Sequence, residues 1–186
     1  PNEVYLKNEE LTFFFNNNEN VLWLPLEELY SEILNKIDQT RFQKFLIKLG
    51  VQTLPKFVKT DDTFCEAERK KLIQRQNPNA SFAMWEEIED VSLDGLAHFL
   101  EEMNAEKSRF LWTFLNKILT RKTPSNTGIF KYEYEEEHVE EIEAHWLRLL
   151  REKTWILDRQ GFLMKTENIQ VVWLPTIYPE IIEHPL

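Results

Sequence analysis

The segment from Asn104 to Thr120 is the feature that most constrains the fold. Its apolar side chains recur every three or four residues, the spacing that places them on one face of an α-helix. Asn104 is suited to capping this helix, because an Asn side chain accepts a hydrogen bond from a free backbone amide of the first turn. The sequence therefore predicts a helix over 105–120 whose apolar face is made of Phe110, Leu111, Phe114, Leu115, Ile118 and Leu119.

Other segments have the short apolar runs and polar turns that are typical of strands. Residues 3–24 place two such runs around an Asn-rich turn at 16–20, which predicts a hairpin or loop between strands. Short strands are also expected over 85–91 and after Ile129. In 154–166, two apolar runs flank the turn 158–161, which predicts a β-hairpin in which Gly161 adopts a positive φ.

Five further helices are expected from apolar periodicity and capping residues. They begin at Pro25, at Asp38 or Thr40, at Asp61–Asp62, near Leu93 and in the acidic segment after residue 135. The second of them should end at Gly50 and the third before Asn77. The last should bury Ile142, Trp146, Leu149 and Leu150.

Helical and strand patterns together predict an α+β fold that is mostly helical, with short β-hairpins or a small sheet. We expect an N-terminal hairpin and helical lobe over 1–58, and a helical and β lobe over 59–186 that ends in a hairpin. A single compact domain remains an alternative, in which case all 186 residues share one core.

Composition excludes several functional classes. Apolar residues make up 42% of the chain, which is typical of a globular protein. The net charge of -10 disfavours direct nucleic-acid binding, because phosphate contacts need concentrated Lys and Arg. Four glycines are too few for a phosphate-binding loop. The single cysteine, Cys65, fits a reducing, cytoplasmic compartment, and no apolar run is long enough for a membrane span or signal peptide.

The acidic segment 133–146 is the candidate for a metal site. His138, Glu141 and His145 would share one face if this segment were helical, and Glu135 and His138 have the Glu-x-x-His spacing of di-metal carboxylate bundles. Such bundles need a second Glu-x-x-His helix, and the sequence has none. We therefore interpret the segment as a solvated acidic face and expect no metal or other cofactor.

The segment 61–71 has a weak similarity to a nuclease site. Asp61, Asp62 and the Glu68-x-Lys70 pair supply suitable side chains, but the two groups of Glu-x-Lys share a face only on a strand. The charged surroundings favour a helix here. Cys65 has no nearby His to activate it, so we expect an unreactive thiol and no catalytic residue.

Most tryptophans lie in apolar patterns and are expected in the core, namely Trp112, Trp146, Trp155 and Trp173. Trp23 and Phe13–Phe15 are also expected in the core. Because these residues are near the start of the chain, a neighbouring unit is the alternative cover for them.

Four phrases, taken in order, resemble the large region behind the ATPase domain in sacsin-like proteins. They are "RFQKFLIKLGVQTLPKFV" (41–58), "WEEIEDVSLDGLAHFL" (85–100), "RFLWTFLNKIL" (109–119) and the long run 128–169. The family motifs include Phe-x-x-x-Leu-Gly-Val, Leu-Trp-x-x-Leu and a Trp-(Ile/Leu)-Pro that follows a helix. The matching residues are Phe45, Leu49, Gly50, Val51, Leu111, Trp112, Leu115, Trp146, Leu150, Trp155, Ile156 and Gly161, whereas Leu157 stands where the family has Pro.

This resemblance implies a module of a larger, bacterial protein that carries an Hsp90-type ATPase, also called a GHKL ATPase. The chain begins with Pro and lacks the Asp-x-Gly-x-Gly nucleotide loop, so we expect a piece of that protein in which ATP is hydrolysed elsewhere. If "PNEV" at the start and "TENI" at 166–169 are equivalent, residues 166–186 begin a following unit, about 165 residues after the first.

The expected function is therefore a non-catalytic structural or protein-interaction module, chaperone-like or defence-related. Its partners would be other domains of the parent protein or client proteins. Two alternatives remain open: a nuclease or other hydrolase fragment that uses the acidic clusters, and an acidic inhibitor that mimics DNA. A DNA mimic needs its carboxylates along one face, whereas most acidic residues here alternate with Lys and Arg.

Overall fold

A computed structural model describes residues 3–15, 21–26, 37–61, 63–80, 82–121, 123–158 and 160–166. Within these residues the fold is α+β, as predicted, with six α-helices, one 3₁₀ turn and eight strands. The chain divides into two compact units. Residues 1–56 and 94–102 form the first unit, and residues 57–93 and 103–186 form the second. None of the helices in this described part is long and apolar enough to cross a membrane.

The start of the first unit is not the predicted hairpin. Strands β1 (Val4–Leu6) and β2 (Leu22–Leu24) pair in parallel, and helix α1 (Glu9–Phe15) lies between them in sequence. The expected strand at Phe13–Phe15 was wrong, because Asn8 caps a helix: its Oδ1 accepts a hydrogen bond from the Leu11 amide at 2.8 Å. The helix buries Leu11, Phe14 and Phe15, which share one face.

The rest of the first unit follows the capping signals. Helix α2 (Gln39–Lys48) begins at Asp38, whose side chain accepts a hydrogen bond from the Arg41 amide, and Gly50 follows its end with φ +91°. The helix expected near Leu93 is present as a short α-helix and a 3₁₀ turn, α3 (Leu96–Phe99) and Leu100–Glu102. The helix expected from Pro25 lies outside the described residues, apart from Pro25 and Leu26.

The second unit is built on a four-stranded antiparallel sheet. Its strands, in spatial order, are β3 (Phe57–Thr60), β4 (Glu86–Leu93), β5 (Thr127–Tyr134) and β6 (Glu136–Glu143). The sheet core, Ile88, Phe130, Tyr132 and Ile142, packs with Leu72, Ile73 and Ala80. Leu72 and Ile73 lie on helix α4 (Glu66–Gln76), which ends before Asn77 as predicted.

Two predictions in this unit were wrong. Helix α4 begins after Cys65 rather than at Asp61–Asp62, because the Glu68 carboxylate accepts a hydrogen bond from the Cys65 amide at 2.9 Å and so stabilises the first turn. The acidic segment 136–143 is strand β6 rather than helix, since it pairs with β5 along its whole length. Glu favours a helix, but helix propensity is a weak effect, and the pairing with β5 outweighs it.

The remaining elements match the predictions. Helix α5 (Ala105–Leu119) is capped by Asn104, whose Oδ1 accepts from the Lys107 amide at 2.9 Å. Helix α6 (His145–Glu152) leads into the predicted hairpin of β7 (Thr154–Leu157) and β8 (Leu163–Lys165). Gly161 has φ +86° in its turn, a conformation that favours glycine.

Candidate apolar binding pocket

The structure does not bring the candidate metal ligands together. His138 lies on β6 and stacks on Tyr132, with ring centroids 5.0 Å apart. Glu141 is three residues further along the same strand and therefore lies on the opposite face. His145 is the first residue of α6, and Glu135 lies in the β5–β6 turn. The shared helix face predicted for these residues was wrong, and the described residues contain no group of three potential metal ligands.

Of the nuclease-like residues, the Glu68-x-Lys70 pair lies on a helix, as predicted, whereas Asp61 precedes that helix. Glu68 and Lys70 are both in the first half of α4, and Asp62 lies outside the described residues. Glu68 serves as a cap, and the hydrogen bond from the Cys65 backbone is the main cause that lowers the pKa of its carboxyl. Cys65 is exposed at the start of this helix. These positions describe the beginning of a helix rather than a set of converging catalytic groups.

Asp90 is a buried carboxylate that sequence inspection missed. Its Oδ1 accepts hydrogen bonds from the Val91 and His145 amides, and its Oδ2 accepts from Thr63 Oγ1 at 2.8 Å and from Arg148 at 2.9 Å. The Arg148 guanidinium also lies over the Phe64 ring, 3.8 Å from its centroid. Four donors satisfy the carboxylate, so its role is to join β4, the β3–α4 loop and α6.

A serine–histidine contact lies beside Asp90. The Nδ1 atom of His145 is 3.1 Å from Ser92 Oγ. Burial, followed by the charge of Arg148, lowers the pKa of His145, so its neutral ring is favoured. The Asp90 carboxylate binds the backbone amide of His145 rather than its ring, which differs from the arrangement of a catalytic triad. The contact anchors the start of α6.

The strongest candidate site is an apolar pocket of about 380 Å³ in the second unit. Helix α5 contributes four residues at helical spacing, and α6 contributes four more around Trp146. Trp155 of β7 and Thr166, which directly follows β8, complete most of the wall. We call it the tryptophan pocket; it is lined by Trp112, Leu115, Asn116, Leu119, Glu143, Trp146, Leu147, Leu150, Arg151, Trp155 and Thr166.

Backbone hydrogen bonds fix two of the three indoles. Trp146 Nε1 donates to the Ser125 carbonyl at 3.0 Å, and Trp155 Nε1 donates to the Leu150 carbonyl at 2.6 Å. The rings of Trp112 and Trp155 contact each other with centroids 5.1 Å apart. Since these two N–H groups are already bonded to the backbone, Trp146 and Trp155 offer the pocket apolar surface.

Few polar groups line the pocket, and two of them neutralise each other. The Arg151 guanidinium forms an ion pair with the Glu143 carboxylate, and both side chains are partly exposed. Thr166 Oγ1 donates to the Leu150 carbonyl at 2.7 Å, the same carbonyl that accepts from Trp155. The pocket therefore favours an uncharged, apolar occupant.

A second cavity, of about 340 Å³, has a different character. Cationic and anionic side chains face it in similar numbers, including Lys71, Arg75, Glu68 and Glu141. Arg148 also lines it but is bound to Asp90. This mixture of charges gives no preference for an anion or a cation, so the cavity is a weaker candidate.

Apolar side chains are also exposed outside the tryptophan pocket. On α2 Leu46 is buried, whereas Phe45, Ile47 and the residue that follows the helix, Leu49, are each more than half exposed. The acidic run 133–143 lies on both faces of the β5–β6 hairpin, because successive strand residues point in opposite directions. That alternation does not give the single carboxylate face that a DNA mimic needs.

The predicted core tryptophans are largely confirmed. Trp146 and Trp155 are buried, and Trp112 is half-buried at the pocket. Phe14 and Phe15 are buried, whereas Phe13 and Trp23 are half-buried, and Trp173 lies outside the described residues. Sequence inspection treated these tryptophans as core and missed the pocket among them. The sequence signal for the pocket was an apolar face on each of two helices. Only the packing of these helices decides whether a space remains between the two faces.

Comparison with protein-family models, with curated proteins and with solved structures finds no match to this chain.

Proposed function

We propose that this chain is a non-catalytic structural and protein-interaction module of a larger sacsin-like ATPase protein. The observation that carries the proposal is the tryptophan pocket. Apolar walls bind a partner by excluding water from its apolar groups. A pocket of this size suits a few apolar side chains of another polypeptide segment.

The positions of the family-like residues support the same proposal. Five of the pocket residues are also among those that carry the resemblance to sacsin-like proteins; these are Trp112, Leu115, Trp146, Leu150 and Trp155. In the proposed role, the parent protein hydrolyses ATP in another domain. The module then holds apolar segments of neighbouring domains or of client proteins in the cytoplasm. This role involves neither nucleic acid nor a membrane.

Arginine substitutions at the edge of the pocket test the proposal. Leu119 and Leu147 line the pocket and are half-buried, so Leu119→Arg and Leu147→Arg should place a charge there without emptying the core. We expect each variant to bind the apolar dye bis-ANS about tenfold more weakly in a fluorescence titration, since losing ~1.4 kcal/mol of apolar contact is a factor of ten. Each should also lose the ability to slow aggregation of reduced insulin, used as a model client.

Val139→Arg is the matched control. Val139 is an exposed apolar residue on β6 and does not line the pocket. Its variant should bind the dye and slow insulin aggregation as the unchanged chain does. Equal dye binding and equal protection of insulin by all three variants would contradict the proposed function.

A further inference from the structure

Strand β6 is at one edge of the four-stranded sheet in the second unit. Just beyond its end, Ala144 donates its amide hydrogen to the carbonyl of Asn126, the residue opposite it, at 2.9 Å. Because opposed residues of antiparallel strands alternate between bonded and non-bonded pairs, every second residue back from Ala144 bonds to β5. The residues between them include Glu137, Val139 and Glu141, whose backbone N–H and C=O groups therefore point away from β5.

The outward side of β6 is open along this length. Glu137, Val139 and Glu141 are all exposed, Val139 by 58%. Within the described residues, the sheet has no further strand beyond β6. The next outward residue, Glu143, differs from these three, since its carbonyl accepts a hydrogen bond from Arg148 at 2.6 Å. The open stretch is therefore 137–141, which we call the β6 edge.

The β6 edge presents charged and apolar side chains in a fixed order. Phe130, a residue of the sheet core, lies opposite Glu140, so Glu140 shares the core face. Glu137, Val139 and Glu141 lie on the other face, because successive strand residues point in opposite directions. At every second residue, this outer face thus carries a carboxylate, an apolar group and a second carboxylate.

We propose that the β6 edge is a docking site for an extended polypeptide segment with Lys or Arg on both sides of an apolar residue, at alternate positions. Such a segment adds a strand to the sheet and binds the outward N–H and C=O groups. Its outer-face side chains then lie opposite Glu137, Val139 and Glu141, and opposite charges directly across two strands are favourable.

Charge also disfavours the other occupants of this edge. In a second copy paired antiparallel about Val139, Glu137 of one chain would lie opposite Glu141 of the other, and like charges in that position are unfavourable. Nucleic acid would bring phosphates to carboxylates. The β6 edge contributes no residue to the tryptophan pocket, so this inference goes beyond the proposed function and does not depend on it.

Titration of the full chain with a short peptide, followed by two-dimensional NMR, tests the proposal. The peptide acetyl-Thr-Lys-Thr-Val-Thr-Lys-Thr-amide has the required alternation and reads the same in both chain directions. The backbone amide resonances of Glu137, Val139 and Glu141 should shift most. The peptide acetyl-Thr-Thr-Lys-Val-Lys-Thr-Thr-amide has the same composition, but its lysines and valine lie on opposite faces. It should bind about fivefold more weakly, because both cross-strand ion pairs are lost.

Proline substitutions on the two edges of the sheet form a matched pair of variants. Val139→Pro removes an outward N–H and leaves the bonds to β5 intact, since proline is tolerated on the open side of an edge strand. It should weaken peptide binding about tenfold. Lys59→Pro is the control, because Lys59 is exposed on β3, the opposite edge, and the bond from Asp94 to Lys56 sets its N–H outward by the same alternation. Its binding should be unchanged.

Charge reversal decides the proposal even if a proline variant fails to fold. Glu137→Lys combined with Glu141→Lys should weaken binding of the alternating lysine peptide. The same variant should bind acetyl-Thr-Glu-Thr-Val-Thr-Glu-Thr-amide, which the unchanged chain should not bind.

Three results would overturn the proposal. The first is the absence of amide shifts at about 1 mM alternating lysine peptide, and the second is equal binding of the two lysine peptides, which would indicate unspecific charge attraction. The third is a concentration-dependent dimer that Val139→Pro abolishes, since the β6 edge would then belong to a second copy. Failure of the proposed function is distinguishable, because its readouts are dye binding and insulin aggregation.

Discussion

At the scale of single residues, the glycines of the first unit show how space and backbone conformation act separately. Gly50 and Gly95 both have positive φ, which L side chains rarely adopt. A Cβ atom at Gly95 would lie 2.7 Å from the Phe15 ring, whereas one at Gly50 would have nothing within 4 Å. Gly95 is thus constrained by its conformation and by a close neighbour, and Gly50 by conformation alone.

We therefore predict different costs for the same substitution at these two positions. Gly50→Ala should cost about 1 kcal/mol of unfolding free energy, from backbone strain. Gly95→Ala should cost about 1–3 kcal/mol more, because the buried Phe15 must move. Urea unfolding of both variants checks this prediction, and equal losses would show that the contact with Phe15 is unimportant.

At the scale of elements, strand β6 shows that pairing with a neighbouring strand can outweigh the helical preference of the residues themselves. Its sequence, EEHVEEIE, is acidic and rich in a helix-favouring residue, yet eight register pairs hold it against β5. The register places Glu133 directly opposite Glu137, an arrangement of like charges that is unfavourable in a sheet. The strand forms in spite of this repulsion because Ile142 joins the core of the sheet.

Reversing one of these charges should stabilise the sheet. We predict that Glu137→Lys raises the unfolding free energy by a few tenths to about 1 kcal/mol, since an opposite-charge pair replaces a like-charge pair. The gain should shrink in 1 M salt, which screens exposed charges. Glu141→Lys is the control, because Glu141 faces Ile129 instead of a carboxylate. Equal gains in both variants would point to net charge rather than cross-strand pairing.

At the scale of the whole molecule, each compact unit has its own means of joining distant parts of the chain. In the first unit, Tyr5 donates a hydrogen bond to Asp94 at 2.6 Å, and burial is the main cause that raises the pKa of this tyrosine. In the second unit, Asp90 joins three elements through four donors. The Tyr5–Asp94 bond and the bonds from α6 to Asp90 each join residues more than fifty positions apart, so neither link could be inferred from local sequence.

The Asp90 link should dominate the stability of the second unit. Asp90→Ala leaves Arg148 with a partly buried, uncompensated charge, and we predict a loss of about 3–5 kcal/mol. Glu89→Ala is the control: its carboxylate pairs with Lys59 and Lys131 at the surface, where ion pairs contribute little. Thermal and urea unfolding should show a large loss only for Asp90→Ala. Similar losses in both variants would contradict a special role for Asp90.

The sequence by itself determined the elements whose signals are local. Asn104 and Asp38 mark where two helices begin, Gly50 and Gly161 mark a helix end and a hairpin turn, and the α+β class follows from the two kinds of apolar spacing. These features depend on hydrogen bonds and dihedral angles within a few residues. Such signals can be recognised before any long-range contact is known.

Only the tertiary structure decided the features that depend on distant residues. Residues 136–143 form a strand because they pair with the edge of β5. Asp90 is a buried connection because three elements bring hydrogen-bond donors to its carboxylate. The tryptophan pocket exists because α5, α6 and β7 meet without filling the space between them. Periodicity shows which side chains avoid water, but the fit between separate elements decides how much room remains among them.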